Sequence, residues 1–223
     1  MNKEHQDIPA SPETAAPSHA HQHQPNHHSR KSRSSGLLAT LSSVLLFILF
    51  PALIAIILTA FVVQSYQVDG QSMETTLQNH DRLIVDKLPR TWSRVTRHQF
   101  VPNRGDIIIF NQTGLPDSFY QKQLIKRVIG LPGERVVVKG GHITIYNSAH
   151  PKGFNPDTDG KYNIAALMTA GDKDVSLQSD EIYVFGDNRG NSEDSRYFGP
   201  VKTNAIVGKL MLRIYPFSNT EVF

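Results

Sequence analysis

The feature that most constrains this chain is a long uncharged stretch near its amino end. Residues 37–63 carry no charged side chain and consist mainly of Leu, Ile, Val, Phe and Ala. About 20 apolar residues suffice to cross roughly 30 Å of hydrocarbon as a helix, so the stretch predicts a transmembrane anchor. Pro51 lies inside it and is expected to kink the helix rather than end it.

A cleaved signal peptide is the alternative interpretation of this stretch. Its apolar region usually has about 7–15 residues and leads to a small-x-small site, whereas Leu58 stands two residues before Ala60. Arg30, Lys31 and Arg33 precede the stretch, and flanking positive charge keeps that end in the cytoplasm. The sequence therefore predicts a single-pass protein of the cell membrane, with a cytoplasmic amino terminus and the remaining body outside.

Residues 1–36 are rich in Pro, Ser, Gln and His and almost free of large apolar side chains. Such a segment cannot bury enough surface to order itself, so we expect a disordered cytoplasmic tail. A metal-binding tail is the alternative, because imidazole clusters bind zinc or nickel. The six histidines of the tail are His5, His19, His21, His23, His27 and His28.

The body that follows has roughly 160 residues, enough for one domain with a small insert. It contains no cysteine, which excludes disulfides, cysteine nucleophiles and thiolate metal sites. The formal net charge of +3 is too small to indicate a nucleic-acid partner.

Short β-type runs, punctuated by Gly, Pro, Asn and Asp, fill the body. No strands alternate with long helices, so a parallel α/β sheet is disfavoured. We predict a mainly β fold: an antiparallel β-sheet core with a small inserted domain, preceded by one amino-terminal transmembrane helix. Strands are expected at 65–68, 82–87, 106–110, 123–129, 134–138, 142–146, 182–185 and 205–214. The expected core is 64–138 and 182–217, the insert is 139–181 with a short helix around 164–169, and 88–103 is a long connection.

Ser72 lies in a turn-like stretch, Val68-Asp69-Gly70-Gln71-Ser72-Met73, a few residues beyond the anchor. A serine hydroxyl is a poor nucleophile until a base takes its proton. Histidine is the usual base, but no histidine of the body lies in a segment typical of a catalytic triad. These histidines are His80, His98, His142 and His150.

Lys126 is the other candidate base. Side chains alternate faces along a strand, so Lys126 shares a face with Leu124 and Val128. Burial favours the neutral form of the amine. A pKa lowered from about 10.4 by about two units would make Lys126 a base near pH 8, and this shift corresponds to roughly 2.7 kcal/mol of differential desolvation. The alternative is a lysine at a strand edge, with its stem on apolar neighbours and its ammonium in water.

The segment Gly186–Arg196 concentrates small, charged and hydrogen-bonding residues after a predicted strand. Such a loop can hold a site through fixed side-chain and backbone bonds. A calcium loop is one alternative, although the EF-hand spacing is missing and arginines lie among the acidic residues. A plain surface loop is the other. The candidate calcium ligands are Asp187, Asn191, Glu193 and Asp194.

Four stretches resemble, in order, the sequence boxes of bacterial type I signal peptidases, also called leader peptidases. Asp69-Gly70-Gln71-Ser72-Met73, followed by Thr76-Leu77, is similar to the nucleophile box. The other three are 104–110, the lysine box 125–134, and the final box 186–196. The likeness runs from about residue 64 to residue 216 behind an amino-terminal anchor.

The resemblance implies a membrane-anchored Ser–Lys serine endopeptidase, with no cofactor or metal. Its partners would be the lipid bilayer and exported preproteins, from which it removes signal peptides after small-x-small sites. Ser72 would be the nucleophile, its N–H would help to hold the oxyanion, and Lys126 would be the general base, with Ser192 orienting the amine. Two ion pairs would support the site: Asp187 with Arg127, and Asp194 with Arg196.

Two positions depart from the family pattern. Gly70 stands where some relatives carry a serine that adds an oxyanion donor, and Thr75 stands where relatives usually have a turn-stiffening proline. Two other functions remain as alternatives: a self-cleaving repressor-type Ser–Lys protein, and an inactive membrane-tethered β scaffold that binds exported chains. Trp92 and Phe100 are expected either at the membrane interface or in the core.

Overall fold

The computed structural model describes residues 34–113, 121–158, 160, 162, 164 and 168–223. The predicted tail, with all six of its histidines, lies outside the described residues except for 34–36. The short helix expected around 164–169 also lies largely outside them.

An apolar helix leads into the body. Helix α1, Ser34–Ile57, continues past Pro51 and is followed by a π-helical turn, Leu58–Val62. Ser43–Val62 is long and apolar enough to cross a membrane, with a mean hydropathy of 2.9, and none of it is buried by protein. The chain divides into two compact units, Met1–Leu46 and Phe47–Phe223, and every strand belongs to the second.

The second unit is built mainly of β-strands. In chain order they are β1 Val63–Gln67, β2 Arg82–Asp86, β3 Ile107–Gln112, β4 Lys122–Gly130, β5 Arg135–Lys139, β6 His142–Tyr146, β7 Lys173–Ser176, β8 Glu181–Phe185, β9 Val201–Lys202, β10 Ile206–Tyr215 and β11 Glu221–Val222. The helices after α1 are α2 Leu88–Thr96 and α3 Ser195–Phe198, and short 3-10 turns lie at Thr203–Ala205 and Phe217–Asn219.

The main sheet has the strand order β1-β2-β10-β3-β4-β8-β9, with β11 paired to β10, and every pair is antiparallel. Buried Ile, Val, Leu and Phe side chains line these strands and form the core beneath the sheet. The predicted mainly antiparallel β fold is therefore confirmed.

A smaller sheet of order β6-β5-β7 packs beside the main one. Its buried face shares one apolar cluster with Ile129, Tyr183 and Phe185 of β4 and β8. The expected limits placed 134–138 in the main core, but β5 pairs with β6 and β7 instead. The chain turns between β4 and β5 at Gly133, which has a positive φ of 78°, and the limits of core and insert stay a prediction.

Residues 88–103 were expected to be a long connection without regular structure, but the first part of this stretch forms helix α2. Pro89 lies in the first turn, where its missing N–H costs no hydrogen bond, and Asp86 Oδ1 accepts from the N–H of Leu88 at 2.8 Å. The helix ends at Arg97, whose left-handed φ of 59° stops the helical repeat.

Candidate active site

Ser72 is held on a turn that apolar side chains fix from both sides. Val68 and Met73 are buried in one cluster with Leu77, so the residues flanking the serine cannot shift freely. The N–H of Leu77 donates to the carbonyl of Met73 at 2.8 Å, which closes the turn. Ser72 itself stays partly exposed between these anchors.

Lys126 reaches Ser72 from β4. Its Nζ donates to Ser72 Oγ at 2.7 Å and to the carbonyl of Ile125 at 3.0 Å, and only 3% of the residue is exposed. The alternative of a strand-edge lysine with its ammonium in water is therefore wrong. A base and a nucleophile within about 2.6–3.2 Å can exchange a proton directly.

Burial lowers the pKa of Lys126 to about 8, although Asp194 and Glu193 act in the opposite direction. Desolvation is the larger effect because both carboxylates act from a distance, and neither forms an ion pair with Nζ in the part of the chain that the structure describes. A lysine of this kind has a substantial neutral fraction near pH 8, so its amine can accept a proton there.

Arg127, the next residue on β4, forms a buried bidentate ion pair with Asp187. Its Nε and Nη2 donate to the two carboxylate oxygens at 2.8 and 2.6 Å. Asp187 also accepts from Thr76 Oγ1 at 2.5 Å, and Thr76 lies four positions after Ser72. One carboxylate thus ties together β4, the turn that carries Ser72 and the loop after β8.

Asp194 and Arg196 form a second buried bidentate pair, with both contacts at 2.8 Å. Asp194 also accepts from the N–H of Gly186 at 3.1 Å, which folds the loop 186–194 back on the end of β8. Both ion pairs that the resemblance implied are thus present as contacts, and each aspartate is already neutralised by an arginine.

Ser192 is buried, but its Oγ makes no hydrogen bond with any described residue. The bond to Lys126 that the resemblance implied is therefore not formed here. The hydroxyl lies instead against the Cα of Gly186, where an added Cβ would overlap both Ser192 Oγ and the carbonyl oxygen of Ser72. Only glycine at this position lets the two serine segments approach each other.

A further, partly buried ion pair was missed by the sequence analysis. Arg189 binds Asp157 through two contacts of 2.5 and 2.7 Å, and Tyr162 Oη donates to the same carboxylate at 2.8 Å. The Tyr162 ring in turn lies 4.9 Å from the Arg127 guanidinium. These contacts join the segment after β6 to the loop after β8. No local sequence signal marks a pair separated by 32 positions.

Gly70, one of the two departures from the family pattern, has a φ of 101°, which side-chain-bearing residues rarely adopt. Its N–H donates to Asn79 Oδ1 at 3.0 Å. The backbone carbonyl of Ser72 accepts from the N–H of Asn188 at 3.1 Å, so the turn is also held from the loop after β8. Glycine at position 70 is therefore required by the shape of this turn.

A cleft of 480 Å³ opens in front of Ser72 and Lys126. Residues 66–72 form one wall and residues 122–126 of β4 form the other, with Leu83 and Ile109 at its base. Across the described residues, no three His, Asp or Glu side chains are grouped so that they could hold a metal ion.

The wall formed by β4 has a free edge. Val128 exchanges backbone hydrogen bonds with the Gly105–Asp106 side at 2.9 Å, so even-numbered residues of β4 face β3. Alternate residues of an antiparallel strand point their N–H and C=O groups in opposite directions, so those of Gln123 and Ile125 point away from β3. Strand β8 pairs with β4 only from Arg127 onward, which leaves this edge open to the cleft.

Comparison with known proteins decides the family. Residues 41–215 match the sequence model of the family described as signal peptidase, peptidase S26. The chain belongs to the signal peptidase family. Its membership confirms the resemblance drawn from the four boxes and makes the chain a peptidase, and so a hydrolase.

Individual signal peptidases resemble the chain over most of its body. It is 33% identical to a probable signal peptidase I-2 of Synechocystis, over 74% of this chain and 68% of that protein. It is 33% identical to a signal peptidase I of Bacillus caldolyticus, over 72% and 84% of the two chains. A crystal structure of a signal peptidase I from Enterococcus faecalis is 30% identical, covers 49% of this chain and 97% of that one, and superposes with a TM-score of 0.36.

Proposed function

We propose that this member of the signal peptidase family is a membrane-anchored serine endopeptidase that cleaves signal peptides from exported preproteins. Ser72 is the nucleophile and Lys126 is the general base. The observation that carries the proposal is the contact of 2.7 Å between Lys126 Nζ and Ser72 Oγ, at a lysine whose pKa burial lowers to about 8.

In the first half of the reaction, the neutral amine of Lys126 takes the proton of Ser72 Oγ as the oxygen attacks the scissile carbonyl carbon. The tetrahedral intermediate collapses, the carbon–nitrogen bond breaks, and the leaving amine takes its proton from the Lys126 ammonium. In the second half, Lys126 takes a proton from water as the water oxygen attacks the acyl-enzyme carbonyl carbon. When this second tetrahedral intermediate collapses, the bond from carbon to Ser72 Oγ breaks and the Lys126 ammonium returns the proton to Ser72 Oγ. The N–H of Ser72 donates to the oxyanion in both halves.

Four further residues hold this geometry without reacting. The pairs Arg127–Asp187 and Arg196–Asp194 are each bidentate and buried, so they fix the strand and the loops around the dyad. They also occupy the two aspartates, which would otherwise pair with Lys126 and keep it protonated. A fifth residue, Ser192, has a buried hydroxyl with no hydrogen-bond partner among the described residues, and it orients the lysine amine when substrate fills the cleft.

The substrate binds in the cleft as an added strand. The main-chain groups of Gln123 and the N–H of Ile125 provide hydrogen bonds for an extended segment, as in other cases of edge-strand recognition, while the Ile125 carbonyl already accepts from Lys126 Nζ. The apolar side chains of Leu83 and Ile109, which line the cleft, accept small side chains before the scissile bond, which corresponds to a small-x-small site.

The apolar segment supports a position of this cleft beside a membrane. Ser43–Val62 spans the bilayer, the amino terminus lies in the cytoplasm because Arg30, Lys31 and Arg33 precede the segment, and the catalytic unit lies outside. Strand β1 begins directly after this segment and leads into the turn of Ser72. The cleft therefore lies close to the surface where a signal peptide leaves the bilayer.

Cleavage of a matched pair of model preproteins tests the proposal. One carries Ala and the other Phe immediately before the cut, and both are incubated with the full-length protein in liposomes. We expect cleavage of the Ala substrate at the predicted bond, confirmed by mass spectrometry, and a rate lower by at least about a hundredfold for Phe, since a small pocket rejects the larger ring. Equal rates would contradict the small-residue pocket, and binding without cleavage of either would favour the inactive scaffold.

A further inference from the structure

Helix α2 presents its apolar side to solvent. Leu88, Trp92 and Val95 are 48%, 70% and 75% exposed. Their spacing of four and three residues places them on one face of the helix. A surface helix of a water-soluble domain turns such a face toward the core, so this helix is oriented the opposite way.

The other side of α2 is basic. Arg90 and Arg94 lie on the side of the helix opposite the apolar face, and Arg97, which ends the helix, lines the same groove as both. In the part of the chain that the structure describes, none of them forms an ion pair, and Asp180, which lines the same groove, is already paired with Lys202 at 2.8 Å. Their positive charge is therefore not compensated by an ion pair among the described residues.

Helix α2 is attached to the carboxyl end of the apolar segment. Lys87 Nζ donates to the carbonyl of Ala60 at 2.9 Å, and Thr91 Oγ1 donates to the carbonyl of Phe61 at 3.0 Å. The N–H of Lys87 also donates to the carbonyl of Val62 at 2.7 Å. The helix thus lies at the level where the proposed membrane span ends.

We propose that α2 is a membrane-surface helix that docks on anionic phospholipid. Leu88, Trp92 and Val95 enter the boundary between headgroups and acyl chains, where tryptophan is favoured. The three arginines extend their guanidinium groups along the helix to the lipid phosphates. This inference rests on the proposed function only in taking Ser43–Val62 as a membrane span.

A lipid surface fits this face better than a protein partner does. The hydrogen bonds from Lys87 and Thr91 bring the helix to the proposed interface whatever else is bound, so contact with headgroups requires no additional encounter. Uncompensated arginines beside an exposed tryptophan are typical of helices that lie in an anionic interface. A protein partner remains as an outcome of the test.

Docking of α2 would also hold the active site at a fixed distance from the membrane surface. Asp86, the last residue of β2, accepts from the N–H of Leu88, and β2 pairs with β1 along its whole length. Strand β1 leads to the turn of Ser72. A fixed α2 thus fixes the sheet edge that carries the nucleophile, so that the cleft faces a substrate emerging from the same bilayer.

Tryptophan fluorescence tests the proposal directly, because Trp92 is the only tryptophan of the chain. The full-length protein is reconstituted in liposomes whose phosphatidylglycerol or phosphatidylcholine carries bromine on the acyl chains. We expect strong quenching of Trp92, at least twofold stronger with brominated phosphatidylglycerol than with brominated phosphatidylcholine at equal content. The triple variant Arg90→Gln/Arg94→Gln/Arg97→Gln should lose this preference for the anionic lipid.

A matched control places the only tryptophan elsewhere. In Trp92→Phe/His142→Trp the fluorophore lies at the exposed first residue of β6, and it should remain unquenched. If Trp92 is quenched no more than the tryptophan of this control, the proposal is overturned, and a protein partner would give this result. Equal quenching of Trp92 by the two brominated lipids would also overturn it.

Two substrates separate the failure of this proposal from that of the proposed function. The arginine triple variant should cleave a membrane-embedded preprotein several-fold more slowly and a soluble peptide at the unchanged rate. If the parent protein cleaves neither substrate while Trp92 is quenched, the peptidase proposal fails and the docking stands. If the triple variant cleaves both substrates at the rates of the parent protein and Trp92 of the parent is not quenched, the docking fails and the peptidase proposal stands.

Discussion

Lys126 Nζ lies 2.7 Å from Ser72 Oγ, although the two residues are 54 positions apart. The protonation state of Lys126 in this contact depends on which groups lie next to its amine. Asp187 and Asp194, the nearby aspartates, are each bound by two nitrogens of an arginine, so among the described residues the amine donates to one hydroxyl and one carbonyl. A buried amine with such neighbours favours its neutral form, which is the form a general base needs.

The first prediction concerns the pH dependence of the rate. Because only neutral Lys126 can accept the Ser72 proton, kcat/KM should rise with pH along an acid limb whose midpoint lies at the lysine pKa of about 8. Well below that midpoint the rate should fall about tenfold per pH unit. Initial rates on a model preprotein from pH 6 to 10 measure the limb, with circular dichroism as a control for folding. A flat profile from pH 6 to 9, with chemistry rate-limiting, would remove Lys126 from the role of base.

The second prediction concerns stability. The folded pKa of Lys126, about 8, lies below the unfolded value of about 10.4, so between these values the unfolded chain binds more protons and the free energy of unfolding rises with pH. Below pH 8 the folded state bears the full cost of the buried charge, about 3 kcal/mol. Lys126→Met should therefore be more stable than the parent at pH 7, and the gain should shrink by about pH 10.5.

Urea unfolding of both proteins at the two pH values checks this difference. Ser72→Ala is the control, because it alters the same contact and leaves the lysine in place. A Lys126→Met variant that is less stable than the parent by equal amounts at both pH values would show that burial of the charged amine does not destabilise the folded state.

The third prediction concerns the approach of the two serine segments. A Cβ at Gly186 would overlap Ser192 Oγ and the carbonyl of Ser72, so Gly186→Ala should displace the nucleophile. We expect a loss of about 1–3 kcal/mol in stability and about a hundredfold in kcat/KM. Gly190→Ala is the matched control, since nothing lies within 4 Å of its added Cβ. Similar behaviour of the two variants would show that close packing at Gly186 does not set the site.

Much of the fold could be predicted from local pattern. Alternation along 123–129 placed Lys126 beside Leu124 and Val128, and the structure has β4 at this position, one residue longer at each end. Helix α2 was missed because its apolar residues face outward, and a nine-residue stretch beginning with Leu-Pro resembles a connection more than a core helix. The division of the body into a core and an insert at 139 stays a prediction, although β5 pairs in the smaller sheet.

The site was less accessible to sequence reasoning than the fold. Parity along β4 could not decide whether Lys126 was buried, because burial depends on the loop after β8 that covers it. The Arg189–Asp157 pair could not be found at all, since its partners meet only after the segment that follows β6 has folded back. The lack of a bond from Ser192 Oγ to any described residue is a detail of side-chain placement, which no sequence pattern determines.

The Ser72–Lys126 dyad is tested most directly by single-turnover cleavage of a model preprotein at pH 9 by the parent and three variants. Ser72→Ala and Lys126→Ala should each lower the rate by at least about 10³-fold while circular dichroism and urea unfolding show an intact fold. Lys126→Arg should fail equally, because a guanidinium does not give up its proton at any usable pH. Substantial turnover by any of the three would contradict the assignment of nucleophile and base.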